Sequence, residues 1–303
     1  MLIDTHAHLN FNAFKNDADE TAKRALEKNI WMINVGSQYS TSERAVLMAE
    51  KYSKEVYPHT KNILDKAGDK IISSSNNHND FGVGVYAAIG LHPIHLTEQK
   101  WQEKVDDDEE FEVISRAEEF DAEKYRKLAE SKKVVAIGET GLDYFHSDGN
   151  KEQQKEALEK QIDLAAELNL PIIIHCRKAY DDLIEILKDK KKYYGNKFRG
   201  VVHSYLGRLS QAKIITEELG FHLGFNGIIT FARDYDKVLT GIGLEYFLLE
   251  TDCPYLTPIP FRGKRNEPAY VSYVAQKIAE IKEISIEEVS KTTTENARKL
   301  FEI

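Results

Sequence analysis

Several of the chain's ten histidines stand where an apolar run gives way to a loop. The first group is Asp4-Thr5-His6-Ala7-His8. On an extended strand residues i and i+2 face the same side, so His6 and His8 present their rings together and the small Ala7 faces away. Alone, a His-x-His pair is a weak signal for a metal. The same kind of position recurs along the chain. Glu139 stands between glycines in Ala136-Ile137-Gly138-Glu139-Thr140-Gly141-Leu142-Asp143-Tyr144. His175 follows three isoleucines, His203 follows Val201-Val202, and Asp252 ends the run Leu248-Leu249-Glu250-Thr251-Asp252. Taken singly, each histidine reads as a satisfied core residue. Together, His6, His8, Glu139, His175, His203 and Asp252 supply enough nitrogen and oxygen donors for two divalent ions. Independent core histidines have no reason to collect at one end of a fold.

Two ions about 3.5–4 Å apart can clamp the attacking and leaving oxygens of a displacement, and a bound ion lowers the pKa of water from ~15.7 toward ~7. Asp252 is the candidate to orient that water and take its proton, with Glu139 beside it in the catalytic set. His92, in Gly90-Leu91-His92-Pro93, and Arg177, two residues past His175, are candidates to touch the substrate. Arg262 and Lys264, in Arg262-Gly263-Lys264-Arg265, are further candidates for phosphate contacts, although a solvated loop explains them equally well. Cys176 and Cys253 each follow a candidate ligand by one residue. Strand alternation turns them off the ligand face, so they read as packing residues and not as nucleophiles.

Eight apolar segments are spaced to carry these groups: residues 2–9, 30–36, 85–91, 134–139, 171–175, 200–204, 221–227 and 246–252. Several are apolar on consecutive residues, which suits strands buried on both faces of a parallel sheet. The stretches between them have helical spacing. Leu158, Ile162 and Ala165 share a face ahead of Pro171, with Asn150 and Gln153 as a cap. Val271, Val274, Ala275 and Ile278 share another, and Ser285 to Glu288 reads as a capping box for a last helix ending near Phe301. Eight strand–helix units predict a (β/α)8 TIM barrel, one domain over residues 1–303. Its chemistry belongs at the C-terminal strand ends, where the six residues stand. The polar stretch near 58–80, with Ser73 to Asp80, and the stretch near 100–115, with Asp106 to Glu110, read as solvated loop insertions.

Composition narrows the class. Apolar residues make up 42% and charged residues 30%, which excludes a disordered tail, and no apolar stretch approaches the ~18 residues of a membrane span. Two cysteines exclude a disulfide scaffold and fit a reducing compartment, cytoplasmic with the nucleus as the alternative. A net charge of −9 excludes a broadly basic protein that coats nucleic acid, but not an enzyme holding phosphates through metals and a few cations.

The motifs Asp4 to His8, Gly90 to Pro93, Gly138 to Tyr144, Ile174 to Arg177, Glu250 to Leu256 and Arg262 to Pro268 resemble the TatD-type metal-dependent deoxyribonuclease family, part of the amidohydrolase-like barrel superfamily. The resemblance implies the barrel, a divalent-metal requirement and hydrolysis of DNA phosphodiesters, exonuclease-like. It implies that His6, His8 and Glu139 hold one ion with Asp252 beside it. Glu139, His175 and His203 then hold the second, with Glu139 bridging. Zn²⁺, Mg²⁺ and Mn²⁺ all suit such mixed ligands. DNA is the expected partner, with no membrane and no obligate protein partner. The sixth-strand motif, His203-Ser204-Tyr205-Leu206-Gly207, departs from the family's usual neighbours but keeps the ligand. The same barrel and ions also suit an amide or ester hydrolase, such as a deacylase. An inactive scaffold is a third reading, disfavoured because it would need none of the six residues.

Overall fold

The computed structural model describes residues 1–52, 84–104, 110–146 and 149–303. Its strands in chain order are β1 Leu2–Ala7, β2 Ile30–Val35, β3 Val85–Ile89, β4 Gln99–Lys104, β5 Glu110–Ser115, β6 Val134–Asp143, β7 Ile172–Arg177, β8 Gly200–Val202, β9 His222–Phe225 and β10 Phe247–Leu249. All but β4 and β5 form one sheet, in which chain order is also spatial order and every pairing is parallel. The two outer strands meet. A parallel bridge joins Ala7 to Cys253, the His8 amide donates to Cys253 O at 3.0 Å, and the Asp252 amide donates to His6 O at 2.8 Å. The sheet is thereby nearly closed into a barrel wrapped by helices, as eight strand–helix units require.

The eight segments expected as strands all carry one. Residues buried along nearly the whole of β1, β2, β3 and β6 explain why these segments are apolar without alternation: the barrel interior covers one face and the helices the other. The principal helices are α1 Ala18–Glu27, α2 Tyr39–Tyr52, α3 Ala122–Leu128, α4 Lys151–Leu168, α5 Tyr180–Tyr194, α6 Leu209–Lys213, α7 Asp236–Gly241, α8 Val271–Lys282 and α9 Ile286–Phe301. Ser285 caps α9 as expected, its hydroxyl accepting from the Glu288 amide at 3.1 Å. Asn150 does not cap α4 through a backbone amide; its side chain instead accepts from Gln154 Nε2 at 2.7 Å.

The polar stretch Ser73 to Asp80 and the acids Asp106 to Glu109 lie outside the described residues. Around the latter, the segment expected as a loop is a hairpin. β4 and β5 pair antiparallel from Gln99 opposite Ser115 to Lys104 opposite Glu110. The charged run Asp106 to Glu110 reads as a loop, but Phe111 and Val113 alternate with Glu110 and Glu112 at the period of a strand.

Candidate metal centre

The upper rim of the barrel holds the site. Two irregularities in the sheet aim its key side chains. The register of β1 on β2 shifts between Asp4 and Ala7, around His6, and that of β6 on β7 shifts between Ile137 and Thr140, around Glu139. Such bulges redirect a side chain that a regular pleat would carry elsewhere. Gly141, at φ +149°, lets β6 run on past Glu139, because a Cβ there would lie 1.9 Å from His175 O. Asp252 and Ser204 take left-handed backbone, φ +57° and +44°, which non-glycine residues rarely adopt and which clusters at functional sites.

All six expected residues come together. Nε2 of His6 and Nε2 of His8 lie 3.1 Å apart. Two nitrogens each ~2.0–2.1 Å from a shared ion stand about 2.8–3.4 Å apart, so the spacing fits a common cation. Glu139 Oε2 is 3.4 Å from His6 Nε2, and Asp252 Oδ1 is 3.4 Å from His8 Nε2. The other carboxylate oxygen of Glu139, Oε1, faces a second set: His175 Nδ1 at 3.1 Å and His203 Nε2 at 3.6 Å. Oε2 of Glu139 is thus turned toward His6 and Oε1 toward His175 and His203; among the described residues the ligand atoms that lie within 4.8 Å of one another are those of His6, Glu139 and His203, of His6, His8 and Asp252, and of His92, Glu139 and His175. The donor set suits a divalent ion of borderline character.

Hydrogen bonds behind the rings decide which nitrogens are available. His8 Nδ1 donates to Val35 O at 2.8 Å, which leaves the Nε2 lone pair facing the site. His175 Nε2 donates to Asp143 Oδ2 at 3.2 Å, which leaves Nδ1 facing Glu139. His203 Nδ1 is 3.1 Å from Glu250 Oε1, off the hydrogen-bond line, and its Nε2 faces Glu139 and Asp252. His92 is arranged the other way. Its Nδ1 accepts from the Ile94 amide at 3.1 Å, so the ring proton sits on Nε2, 3.6 Å from Glu139 Oε1. His92, Glu139 and His175 are close enough to hold an ion, but His92 offers that space a donor and not a lone pair.

The charges are mutually set. Burial alone would push the Glu139 carboxyl up, but His92, His6 and His175 outweigh it and hold it well below the ordinary carboxylate range. Asp252 is likewise lowered, with His203 and His8 outweighing its burial. Burial lowers His6 and, more strongly, His92. It would lower His203 too, but Glu250 and Asp252 reverse this and raise its pKa to about 10. His175 is raised against its burial by Asp143 and Glu139. The two cysteines are buried, and burial pushes both thiols up, away from the thiolate a nucleophile would need.

A cavity of about 630 Å³ opens over this cluster, and His8, His92, Glu139, His175, Arg177, His203 and Asp252 are on its wall. His6 lies buried beneath. Arg262 and Lys264 are exposed and are not among the lining residues. Arg262 lies over the Phe231 ring at 4.0 Å, and Arg265 is taken up by Ala13 O and the Asp17 carboxylate. Three further acids, which the sequence motifs do not single out, stand behind the candidate ligands. Asp143 and Glu250 back His175 and His203, and Asp4, fully buried, accepts from the Thr251 amide and hydroxyl and from the His6 amide. Their signal was position: Asp143 is four residues past Glu139 on one strand, and Glu250 two before Asp252.

The family profile described as TatD related DNase matches residues 3–60 and 67–302. The uncharacterized metal-dependent hydrolase YabD of Bacillus subtilis (strain 168) is 40% identical over 306 residues, covering 100% of both chains. The 3'-5' ssDNA/RNA exonuclease TatD of Erwinia amylovora is 29% identical, covering 99% of each. The crystal structure of YJJV, a TatD homolog from Escherichia coli K12, superimposes with a TM-score of 0.77 at 27% identity, over 100% of this chain and 98% of the other.

Proposed function

This chain belongs to the TatD related DNase family of metal-dependent hydrolases, and from that premise we propose that it hydrolyses phosphodiester bonds of DNA, working inward from an unpaired end. The observation that supports the reading is the gathering of donors around Glu139, with His6 near Oε2, His175 and His203 near Oε1, and a cavity above whose wall includes Arg177. His6, His8 and Asp252 would hold one divalent ion and His175 and His203 the other, with Glu139 shared. Such ions supply charge neutralisation for the phosphate and a nucleophile at neutral pH.

The remaining work falls to the chain's own side chains. Asp252 Oδ1, 3.4 Å from His8 Nε2 and 3.9 Å from His6 and His203 Nε2, is placed to orient a water and accept its proton. His92 Nε2–H is a donor for a phosphate oxygen above Glu139. Arg177 offers a permanent charge and a planar fork. Exposed rings beside the cations support an unpaired substrate. Phe145, 50% exposed, lies under Arg177 and Lys178, and Phe231, 38% exposed, under Arg262. Bases stack on such rings while phosphates meet the cations. The name of the Erwinia relative points the same way.

Metal content of the purified protein, with cleavage of end-labelled single- and double-stranded DNA, tests the proposal. Stoichiometric metal and stepwise shortening of the single strand are expected. DNA left uncut across Mg²⁺, Mn²⁺ and Zn²⁺, with neutral amides or esters hydrolysed, would replace it with the carbonyl reading.

A further inference from the structure

A single carboxylate oxygen links the metal centre to the cation on the cavity wall. Asp143 is 1% exposed in its side chain and spends both oxygens on four donors. Oδ1 accepts from the Phe145 and His146 amides, each at 2.9 Å. Oδ2 accepts from His175 Nε2 at 3.2 Å and from His146 Nδ1 at 2.7 Å. The backbone of Asp143 is fixed as well, by a two-way exchange with the side chain of the buried Gln154. Burial would raise this carboxyl, but the His175 and His146 contacts outweigh it and hold it well below its ordinary range, so it is an acceptor only.

His146 is thereby pinned at one ring nitrogen. Its other nitrogen, Nε2, faces Arg177 Nη1 at 3.4 Å. The arrangement is satisfied by the ring form with its proton on Nδ1, which leaves the Nε2 lone pair for the guanidinium. Arg177 is held a second way, its guanidinium lying 4.1 Å over the Phe145 ring. The hydrogen-bonded chain runs from His175 through Asp143 and His146 to Arg177, while His175 Nδ1 faces Glu139. His146, His175 and Arg177 all line the same cavity.

We propose that His146 is a positioning residue for substrate phosphate: it holds the Arg177 guanidinium at the cavity wall, and Asp143 keeps that arm in register with the metal ligand His175. The inference rests on the reading that Arg177 takes a phosphate. An arginine free in solvent must give up rotamer freedom to meet an anion, and a held one has already done so. Lys178, whose amine lies 4.6 Å over the same Phe145 ring, adds charge but no planar fork. His146 is 40% exposed in its side chain, so replacing it disturbs no core.

The test is calorimetric binding of inorganic phosphate to the metal-loaded protein, alongside kcat and KM on an oligonucleotide. His146→Phe removes both ring contacts, and His146→Gln restores an acceptor for Arg177. His146→Phe is expected to weaken phosphate binding roughly 10-fold, the size of one hydrogen bond to a charged group, and to raise KM more than it lowers kcat. His146→Gln should recover most of that loss, and metal content should stay unchanged in both. In an Arg177→Met background, His146→Phe should add nothing, because the effect travels through Arg177. Losses that multiply in the double variant, or a fall in metal content with His146→Phe, would overturn the proposal. Wild-type protein that binds phosphate with this coupling yet leaves DNA uncut would sink the nuclease reading and leave this one standing.

Discussion

His8 Nε2 and Asp252 Oδ1 lie 3.4 Å apart although 244 residues separate them, because the first and last strands of the barrel meet. The closure that stabilises the sheet also completes the site, since the Asp252 amide donates to His6 O and the His8 amide to Cys253 O. Asp252→Asn keeps the shape and one oxygen but removes the charge and the base. The protein should fold with an unchanged circular-dichroism spectrum, and turnover should fall by ~10²–10⁴-fold, the usual worth of general-base assistance. Near-normal hydrolysis at full metal occupancy would show that the acid neither activates water nor sets the charge of the centre.

His92 separates a ligand from a donor. Its Nδ1 is occupied by the Ile94 amide, so Nε2 carries the proton. His92→Gln should leave metal stoichiometry and affinity intact and lower kcat/KM by roughly 10-fold or more, the loss from misplacing one hydrogen bond to a charged group. Loss of one ion on equilibrium dialysis would instead make His92 a ligand, with its proton displaced.

Much of this site was readable from the chain alone, for a physical reason. A polar candidate at the end of a buried strand interrupts an apolar run, and His175 after three isoleucines or Asp252 after Leu248-Leu249 shows that interruption plainly. The barrel followed from counting such runs. What stayed hidden depends on contacts between distant segments. Asp143 and Glu250 look like ordinary loop acids until His175 and His203 are seen against them. The bulges at His6 and Glu139 are defined by register with a neighbouring strand, which no local periodicity reports. In β5, Phe111 and Val113 alternate with Glu110 and Glu112, but the adjoining charged run Asp106 to Glu110 outweighs that short strand period, so the segment reads as a loop. Arg262 and Lys264 are positioned by a loop whose path their spacing does not encode, and they fall outside the cavity lining.

The metal-free protein should lose stability in alkali. His203, raised to about 10 chiefly by Glu250 and Asp252 against its burial, is protonated in the folded chain where an unfolded histidine, near ~6.5, is not. A raised folded-state pKa contributes stability that is fully present below ~6.5 and is lost as pH rises through about 10. Chelator-treated protein should therefore show a falling Tm between neutral pH and about pH 10. Metal-loaded protein, whose His203 must already be neutral to coordinate, should lack this limb. Glu250→Gln, which removes the leading cause of the shift, should move the limb to lower pH. Superimposable Tm profiles for metal-free wild type and Glu250→Gln would show that the pair does not couple to folding.

Arg177 distinguishes phosphate from carbonyl chemistry. It is always charged, it sits on the cavity wall two residues past His175, and a phosphodiester brings a permanent negative charge that a neutral ester lacks. A hydrogen bond to a charged group is worth ~1.5–3 kcal/mol, so Arg177→Met should reduce kcat/KM on DNA by roughly 10–150-fold. The difference between wild type and variant should shrink in high salt, because part of the attraction is long-range and screened. A neutral p-nitrophenyl ester, where the protein cleaves one, should be affected far less. An equal loss on both substrates would mean that Arg177 supports the metal centre through His146 and Asp143 and does not read phosphate.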